Sequence, residues 1–449
     1  MLACCKWYHV LSISTLILLL AGCSGAGKTK EKKEREPFII EPEPEKPRGM
    51  QLAPIDSSVK SIQLYRSTPS SVNEFTANSV VERQFPILVL NSGEVLDLEF
   101  DVLEASGRPL SIYFYHMDID WQRDLSPAQY LGTFQRDDII NYTPSRATDV
   151  PYTHYSYRFP NQSMSFLVSG NYILRVTEQG RETEVIFERP FFITEQITAV
   201  QMGIENIIVG QGGFAAIQPA ALFLQPASLD GNVFDFKVCF TRNGRFESPR
   251  CSEQPSLSQP PSLRFFLQPS QAFEPITADY FLDLSALRVG NQIARVDFNE
   301  LPFRITLEPD YARFPGNSLD PVLNGQTVIS GVVQDVSTPD FSAQYVNVLF
   351  SYIPETGQRL GNSVYITGSF NGWQADAAHQ MEWIPEREQY EIELLLKQGH
   401  YDYRYVVSQD RLPRGTVPRP ENLYTAFVYY SDIRLNTDRL LGMSSFLGQ

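Results

Sequence analysis

Apolar and polar residues alternate with a period of two along most of this chain. The clearest alternating runs are at residues 61–65, 96–100, 110–115, 172–176 and 345–350. Alternation of this kind places successive side chains on opposite faces of a sheet, so each run predicts a half-buried strand. Turn-forming Gly, Asn and Pro separate the runs. Because helical periodicity is almost absent, the pattern predicts an all-β chain built from stacked β-sandwiches.

The first residues follow a different pattern. Lys6 precedes a mostly apolar run from Val10 to Leu20, which is too short to span the ~30 Å of a bilayer core. We therefore predict a removable signal peptide over residues 1–22. The run ends in Leu-Ala-Gly-Cys-Ser at residues 20–24, which resembles the bacterial lipobox. That resemblance implies a diacylglycerol on Cys23 and a lipid anchor in the membrane; the alternative is an ordinary signal peptide with a chance cysteine.

The rest of the chain divides into a tether and three predicted domains. Residues 23–56 combine clustered charges with a Glu-Pro alternation at 41–45, a composition that forms flexible, extended linkers. We place domain boundaries near Thr194 and Thr338. They separate an N-terminal β-sandwich domain (57–194), a middle β domain (195–338) and a C-terminal domain (339–449).

The net charge excludes one class of partner, and the number of cysteines predicts one disulfide. The formal net charge of −15 over 449 residues argues against nucleic acid as a partner, because phosphates are bound by clustered Lys and Arg. After removal of the signal peptide and lipidation of Cys23, only Cys239 and Cys251 remain. In an oxidising compartment such a pair predicts a disulfide; the alternative is two free thiols.

Few residues are candidates for catalysis or metal binding. His116, Asp118 and Asp120 share one strand face and could hold a divalent cation, but turn capping and core packing explain them more simply. His154 could act as a general base, yet no nucleophile motif such as Gly-x-Ser-x-Gly accompanies it. We therefore predict a protein that is not an enzyme and needs no metal or cofactor.

The C-terminal region holds a more specific pattern. A strand and tight turn at 363–372 lead to Trp373, Trp383 follows, and two strands span 390–406. This order resembles the early-set immunoglobulin-like domains that include glycogen-binding modules. The resemblance implies an immunoglobulin-like sandwich, with Trp373 and Trp383 as candidate carbohydrate-binding residues, since indole rings stack on apolar sugar faces. Alternatively, Trp373 simply covers the end of the sandwich.

Short segments in order along nearly the whole mature chain resemble the plug protein family of the bacterial type IX secretion system. In the first domain they are residues 61–65, 96–101, 116–121, 125, 130–132, 138–142, 145–148, 152–155, 160–161 and 169–172, and near the C-terminus they are 396–399, 401–403, 421–424, 428–430 and 438–442. Met117 stands where the family usually has Cys, and residues 239–297 fit poorly.

The plug resemblance implies a non-catalytic accessory subunit. It would seal the periplasmic opening of the type IX outer-membrane translocon, with that β-barrel as its partner and Cys23 as its lipid anchor on the periplasmic side of the outer membrane. The alternative is a carbohydrate-binding outer-membrane lipoprotein that uses Trp373 and Trp383.

Overall fold

The fold is known from a computed structural model. It describes residues 49–66, 85–210, 213–229, 232–256, 261–275, 279–290, 292–311, 323–331, 339–407 and 422–448. Cys23, the signal peptide and most of the tether lie outside these ranges.

The first sandwich contains two sheets, in the orders β1-β3-β7-β6 and β2-β9-β8-β4-β5. Its strands are β1 (Val59–Arg66), β2 (Ile87–Val89), β3 (Leu96–Val102), β4 (Leu110–Met117), β5 (Arg136–Ile139), β6 (Tyr142–Pro144), β7 (Thr153–Phe159), β8 (Gly170–Glu178) and β9 (Val185–Thr194), with the short helix α1 (Pro127–Tyr130) between β4 and β5. Along β3, Leu96, Leu98 and Phe100 are fully buried, as the alternation predicts.

The following strands form two further sandwiches. They are β10 (Gln201–Val209), β11 (Phe214–Leu224), β12 (Phe236–Arg242), β13 (Arg250–Ser252), β14 (Ser262–Phe266), β15 (Tyr280–Asp283), β16 (Ile293–Asp297), β17 (Arg304–Leu307), β18 (Asp310–Tyr311), β19 (Thr327–Ile329), β20 (Tyr345–Ile353), β21 (Val364–Gly368), β22 (Glu382–Ile384), β23 (Gln389–Lys397), β24 (Gly399–Val407), β25 (Asn422–Asp432) and β26 (Thr437–Gly448). Short 3-10 turns occur at Val233–Asp235, Pro269–Gln271, Pro339–Phe341, Ser369–Asn371 and Ala377–His379.

The second sandwich combines residues far apart in sequence. Its sheets have the orders β10-β11-β14 and β13-β12-β25-β26. Strand β25 runs antiparallel to β12, from Phe236 opposite Tyr430 to Arg242 opposite Tyr424. Phe223, Phe265, Val238 and Val428 are among the buried residues of its core. The last two strands of the chain thus complete the middle sandwich.

The third sandwich lies between those two parts in sequence. One sheet has the order β15-β24-β19, with β21 also pairing with β24, and the other has the order β16-β17-β20-β23-β22, with β18 also pairing with β20. Val346, Val348 and Phe350 of β20 are fully buried in its core.

The structure confirms the predicted all-β fold of serial immunoglobulin-like sandwiches. The boundaries near Thr194 and Thr338 stay predictions, and the pairing of β12 with β25 crosses the second of them. Residues 48–449 form one compact unit. No helix in the described ranges is long and apolar enough to cross a membrane.

Candidate functional site

The end of the predicted tether is fixed to the folded part. Met50 and Leu52 pack into a cluster of buried residues between the first and second sandwiches. The backbone N–H of Ala53 donates to Oε2 of Glu188 on β9, at 2.7 Å. Any tether from Cys23 therefore ends before these residues.

Cys239 and Cys251 are joined as a disulfide. They face each other on the paired strands β12 and β13. Both contact the cluster of buried residues between the first and second sandwiches. The disulfide thus links two neighbouring strands of one sheet, close to a contact between sandwiches.

Trp373 is held by neighbours on one face. It follows Gly372, and both residues have positive φ angles, 65° and 63°. Its Nε1 donates to the backbone oxygen of Gly325 at 3.0 Å. The guanidinium of Arg245 lies 2.8 Å from the centre of one of its rings. Since Arg245 covers one face of the indole, that face is not available to a ligand, and the guanidinium of Arg404 lies 5.6 Å from the ring centre.

Trp383 lies in a different place. Its ring packs edge-on against Tyr390, with ring centres 4.9 Å apart. Both residues line a cavity of about 750 Å³ together with Leu360 and Met381, and Trp373 is not among its lining residues. The structure therefore does not bring the two predicted sugar-binding tryptophans together in one cavity.

His116 is a buried structural residue. Its Nδ1 lies 2.8 Å from Oδ1 of Asp124, and its Nε2 lies 3.1 Å from the backbone oxygen of Ser169. Asp118 accepts the backbone N–H of Gln122 at 2.8 Å, as a turn-capping carboxylate does. Because both ring nitrogens of His116 are engaged, neither is available to a metal ion.

His154 belongs to a charged network around Asp101, which we call the Asp101 network. The carboxylate of Asp101 is fully buried. It accepts from Nδ1 of His154 at 2.8 Å, the hydroxyl of Tyr345 at 2.7 Å and Nζ of Lys397 at 2.7 Å. Asp101 and His154 come from the first sandwich, whereas Tyr345 and Lys397 come from the third. The network therefore joins two sandwiches through a buried ion pair.

The charge of Asp101 is stabilised where it lies. Burial raises the pKa of its carboxyl, but the charge of Lys397 and the hydrogen bond and charge of His154 outweigh burial, so the pKa is lowered from its ordinary value. Nζ of Lys397 also donates to the backbone oxygen of Asp340 and lies 4.3 Å from the ring centre of Tyr152. A buried pair with this many partners is costly to break by removing one member.

Glu99, His154 and Asp340 offer ligand atoms within 4.8 Å of one another, which is close enough for a metal ion in principle. However, Nδ1 of His154 is engaged by Asp101, and the ammonium of Lys397 binds both Asp101 and the backbone of Asp340. A fixed positive charge beside the three residues opposes a divalent cation. We therefore interpret them as part of the polar contact between sandwiches.

A second set of contacts joins the first and second sandwiches. Arg439 on β26 makes two hydrogen bonds to the carboxylate of Glu195, at 2.8 and 2.7 Å. The buried hydroxyl of Tyr429 donates to Oδ1 of Asn171 at 2.7 Å. Phe192 of β9 packs against Phe427 of β25, with ring centres 4.8 Å apart.

The second and third sandwiches share one buried carboxylate. Asp279 binds Arg245 of the second sandwich at 3.0 Å and Arg404 of the third at 2.6 Å. Each sandwich is thus linked to the other two by buried polar contacts, an arrangement that favours a rigid body over three independent domains.

The sequence pattern alone assigns no functional role to Asp101 or Lys397. Lys397 ends the apolar run 394–396 on a predicted strand, and Asp101 ends an alternating strand. A charged residue within a run of apolar strand positions indicates that the charge is buried and needs a partner. It does not indicate that Asp101 and Lys397, which are 296 positions apart in sequence, are each other's partner.

Comparison with known proteins agrees with both resemblances. Residues 59–195 match the family described as "Type 9 secretion system plug protein 1st domain", and residues 357–432 match the "Glycogen recognition site of AMP-activated protein kinase". The class is thus an all-β protein whose first sandwich is similar to the first domain of type 9 secretion plug proteins and whose residues 357–432 are similar to a glycogen-recognition domain.

A solved structure shares the fold over most of the chain. It is a hypothetical protein from Parabacteroides merdae, with a TM-score of 0.78 and 22% sequence identity, and the match covers 90% of this chain and 100% of the other. No curated protein matches the chain. At this identity the likeness establishes the arrangement of strands alone.

Proposed function

We propose that the protein is a non-catalytic accessory subunit that plugs the periplasmic opening of the type IX outer-membrane translocon. The observation that carries the proposal is the plug-domain match over residues 59–195, which covers the first sandwich. Its direct partner is the outer-membrane β-barrel. A lipid on Cys23 holds the protein at the periplasmic side of the outer membrane.

The linked sandwiches support this role physically. A plug has to fill an opening without deforming, and it needs a wide interface to stay in place. The buried Asp101 network and the half-buried Glu195–Arg439 pair join sandwiches through ion pairs. Blocking a pore requires no reactive group, and both matched families are of non-catalytic kinds. Release follows if a substrate-loaded pore binds the plug less well than the empty pore.

Deletion of the gene is the direct test. We expect the outer membrane to become permeable to large hydrophilic solutes, measured as uptake of a fluorescent dextran or sensitivity to a large antibiotic. Re-expression of the full chain should restore the barrier, and a chain lacking residues 59–195 should not. An unchanged barrier in the deletion strain contradicts the plug role.

Partner capture gives a second, independent measurement. Affinity purification of the tagged full chain in mild detergent should recover a large outer-membrane β-barrel in near-stoichiometric amount. The anchor is tested separately with Cys23→Ala, which should lose the lipid mass and leave the membrane fraction while keeping its affinity for the barrel. Recovery of the chain alone at low and high salt rules out the partnership.

A carbohydrate-binding lipoprotein is the second candidate, because residues 357–432 match a glycogen-recognition domain. Arg245 already covers one face of Trp373, whereas Trp383 lines the cavity of about 750 Å³. If the protein binds glycans, Trp383→Ala should abolish the binding more completely than Trp373→Ala. Absence of binding to α-glucans and to a broad glycan array removes this candidate.

A further inference from the structure

A second cavity, of about 510 Å³, lies where residues of all three sandwiches meet. Ile62 and Arg189 come from the first sandwich, Phe246 from the second, and Thr327 and Trp373 from the third. Its apolar lining includes Met50, Leu52, Ile62, Phe85, Phe246 and Trp373. A cavity of this size and character is typical of small-molecule sites.

Arg189 is the positively charged residue in the lining of this cavity. Only 9% of its surface is exposed, and its guanidinium makes one hydrogen bond, to the backbone oxygen of Glu188 at 2.9 Å. Among the described residues it has no carboxylate partner. The nearby carboxylate of Glu188 is already engaged by Arg175 at 2.7 Å and by Ala53 at 2.7 Å.

A buried cation without an anionic partner destabilises the folded protein. Burial lowers the pKa of Arg189 to about 10, so the guanidinium still carries its charge at neutral pH. A buried charge without a counter-charge costs several kcal/mol on the order-of-magnitude scale for effective ion desolvation. A charge-assisted, bidentate hydrogen bond from an external carboxylate would offset this cost.

The other charged residues near the cavity do not supply that anion. Arg245, which stacks on Trp373, and Arg404 share Asp279. Glu247 lines the cavity at an exposed position and makes no ion pair with Arg189. The backbone at Gly372 lies beside the guanidinium, since a Cβ there would be in van der Waals contact with Cζ of Arg189, at 3.5 Å.

We propose that this cavity binds a ligand in which a carboxylate, paired with Arg189, is attached to an aromatic or aliphatic group that fills the apolar part beside Phe85 and Phe246. A bidentate guanidinium–carboxylate pair provides the specificity, and burial of the apolar group provides most of the affinity. Free N-acylated apolar amino acids and the C-terminal residue of a peptide share this chemistry.

A fluorescence titration of the full chain with dansylglycine tests the proposal. The uncharged control is dansylglycinamide, which differs only in the carboxylate. We expect the acid to bind at least about tenfold more tightly than the amide, because only the acid forms the charged contact with Arg189. Equal affinities, or no binding of the acid, overturn the proposal without any variant being needed.

Variants then assign the contact to Arg189. Arg189→Met should reduce the ratio of acid to amide affinity to near one, and Arg189→Lys should retain part of it. The exposed Arg387→Met serves as the control and should keep the full ratio. Retention of the full ratio in Arg189→Met overturns the assignment.

Competition identifies the source of the ligand. Displacement of dansylglycine by N-acetylphenylalanine but not by the peptide Ala-Ala-Ala-Phe indicates a free acid, and displacement by the peptide indicates a peptide C-terminus. Displacement by neither contradicts the proposed ligand class.

Discussion

Asp101 and Arg189 are both buried charged residues of the first sandwich, yet their surroundings are opposite. Asp101 has a cation, a histidine and a tyrosine hydroxyl as partners. Within the described ranges, Arg189 has only a backbone oxygen as its hydrogen-bond partner. The two buried charges therefore serve different purposes. The charge of Asp101 is paired within the protein and joins two sandwiches. The charge of Arg189 has no carboxylate partner among the described residues and marks a place for a ligand.

The largest expected effect comes from breaking the Asp101 network. Lys397→Met leaves the carboxylate of Asp101 buried without its cation, so we expect a loss of about 3–5 kcal/mol in the free energy of unfolding, measured by urea denaturation. Arg387→Met, which breaks an exposed pair with Glu391, is the matched control and should cost at most about 1 kcal/mol.

A double variant sharpens this result. Asp101→Asn combined with Lys397→Met should be less destabilising than the sum of the two single changes, since the removed groups interact directly. Strict additivity would mean that the pair contributes nothing beyond packing.

The next effect is the pH dependence of the same contact. The pKa of Asp101 is lowered in the folded protein, so the unfolded chain binds more protons at this group. The stability it contributes is therefore complete above the unfolded pKa of about 4 and is lost as the pH falls through the lower folded value. We expect the wild type to lose more stability than Asp101→Asn between about pH 5 and about pH 2, measured by denaturation at each pH. Parallel curves for the two proteins would contradict this.

A smaller effect is expected at the contact between the first and second sandwiches. Tyr429→Phe removes the buried hydrogen bond to Asn171 and should cost about 1–3 kcal/mol, because the amide oxygen is left without that donor. Thermal unfolding should remain a single transition if the sandwiches stay coupled. Separate transitions would show that this hydrogen bond is essential for the coupling.

The smallest effect on stability is expected at Arg189. Without ligand, Arg189→Met should change the free energy of unfolding by less than about 1 kcal/mol or raise it, since the substitution removes an unpaired buried charge. Arg175→Met is the matched control on the neighbouring strand. It leaves the buried Glu188 without its cation and should be clearly destabilising. A large loss for Arg189→Met would mean that the protein itself satisfies this cation.

The local pattern of the sequence predicted much of the fold. Alternation at residues 96–100 and 345–350 correctly indicated strands, because the two faces of a half-buried strand demand different side chains. The Cys239–Cys251 bond could be proposed from the count of cysteines. The setting of Trp373 under Arg245 could not, because it depends on a loop from another sandwich.

The sequence by itself determined the all-β class, the position of most strands and the two family resemblances, since these depend on local alternation and short motifs. Only the tertiary structure decided that β25 and β26 complete the middle sandwich, that Asp101 meets Lys397, and that Arg189 has no carboxylate partner among the described residues. Each of these depends on which distant strands pair and in which register, and the pairing energy is spread over many weak contacts that no single segment of the sequence carries.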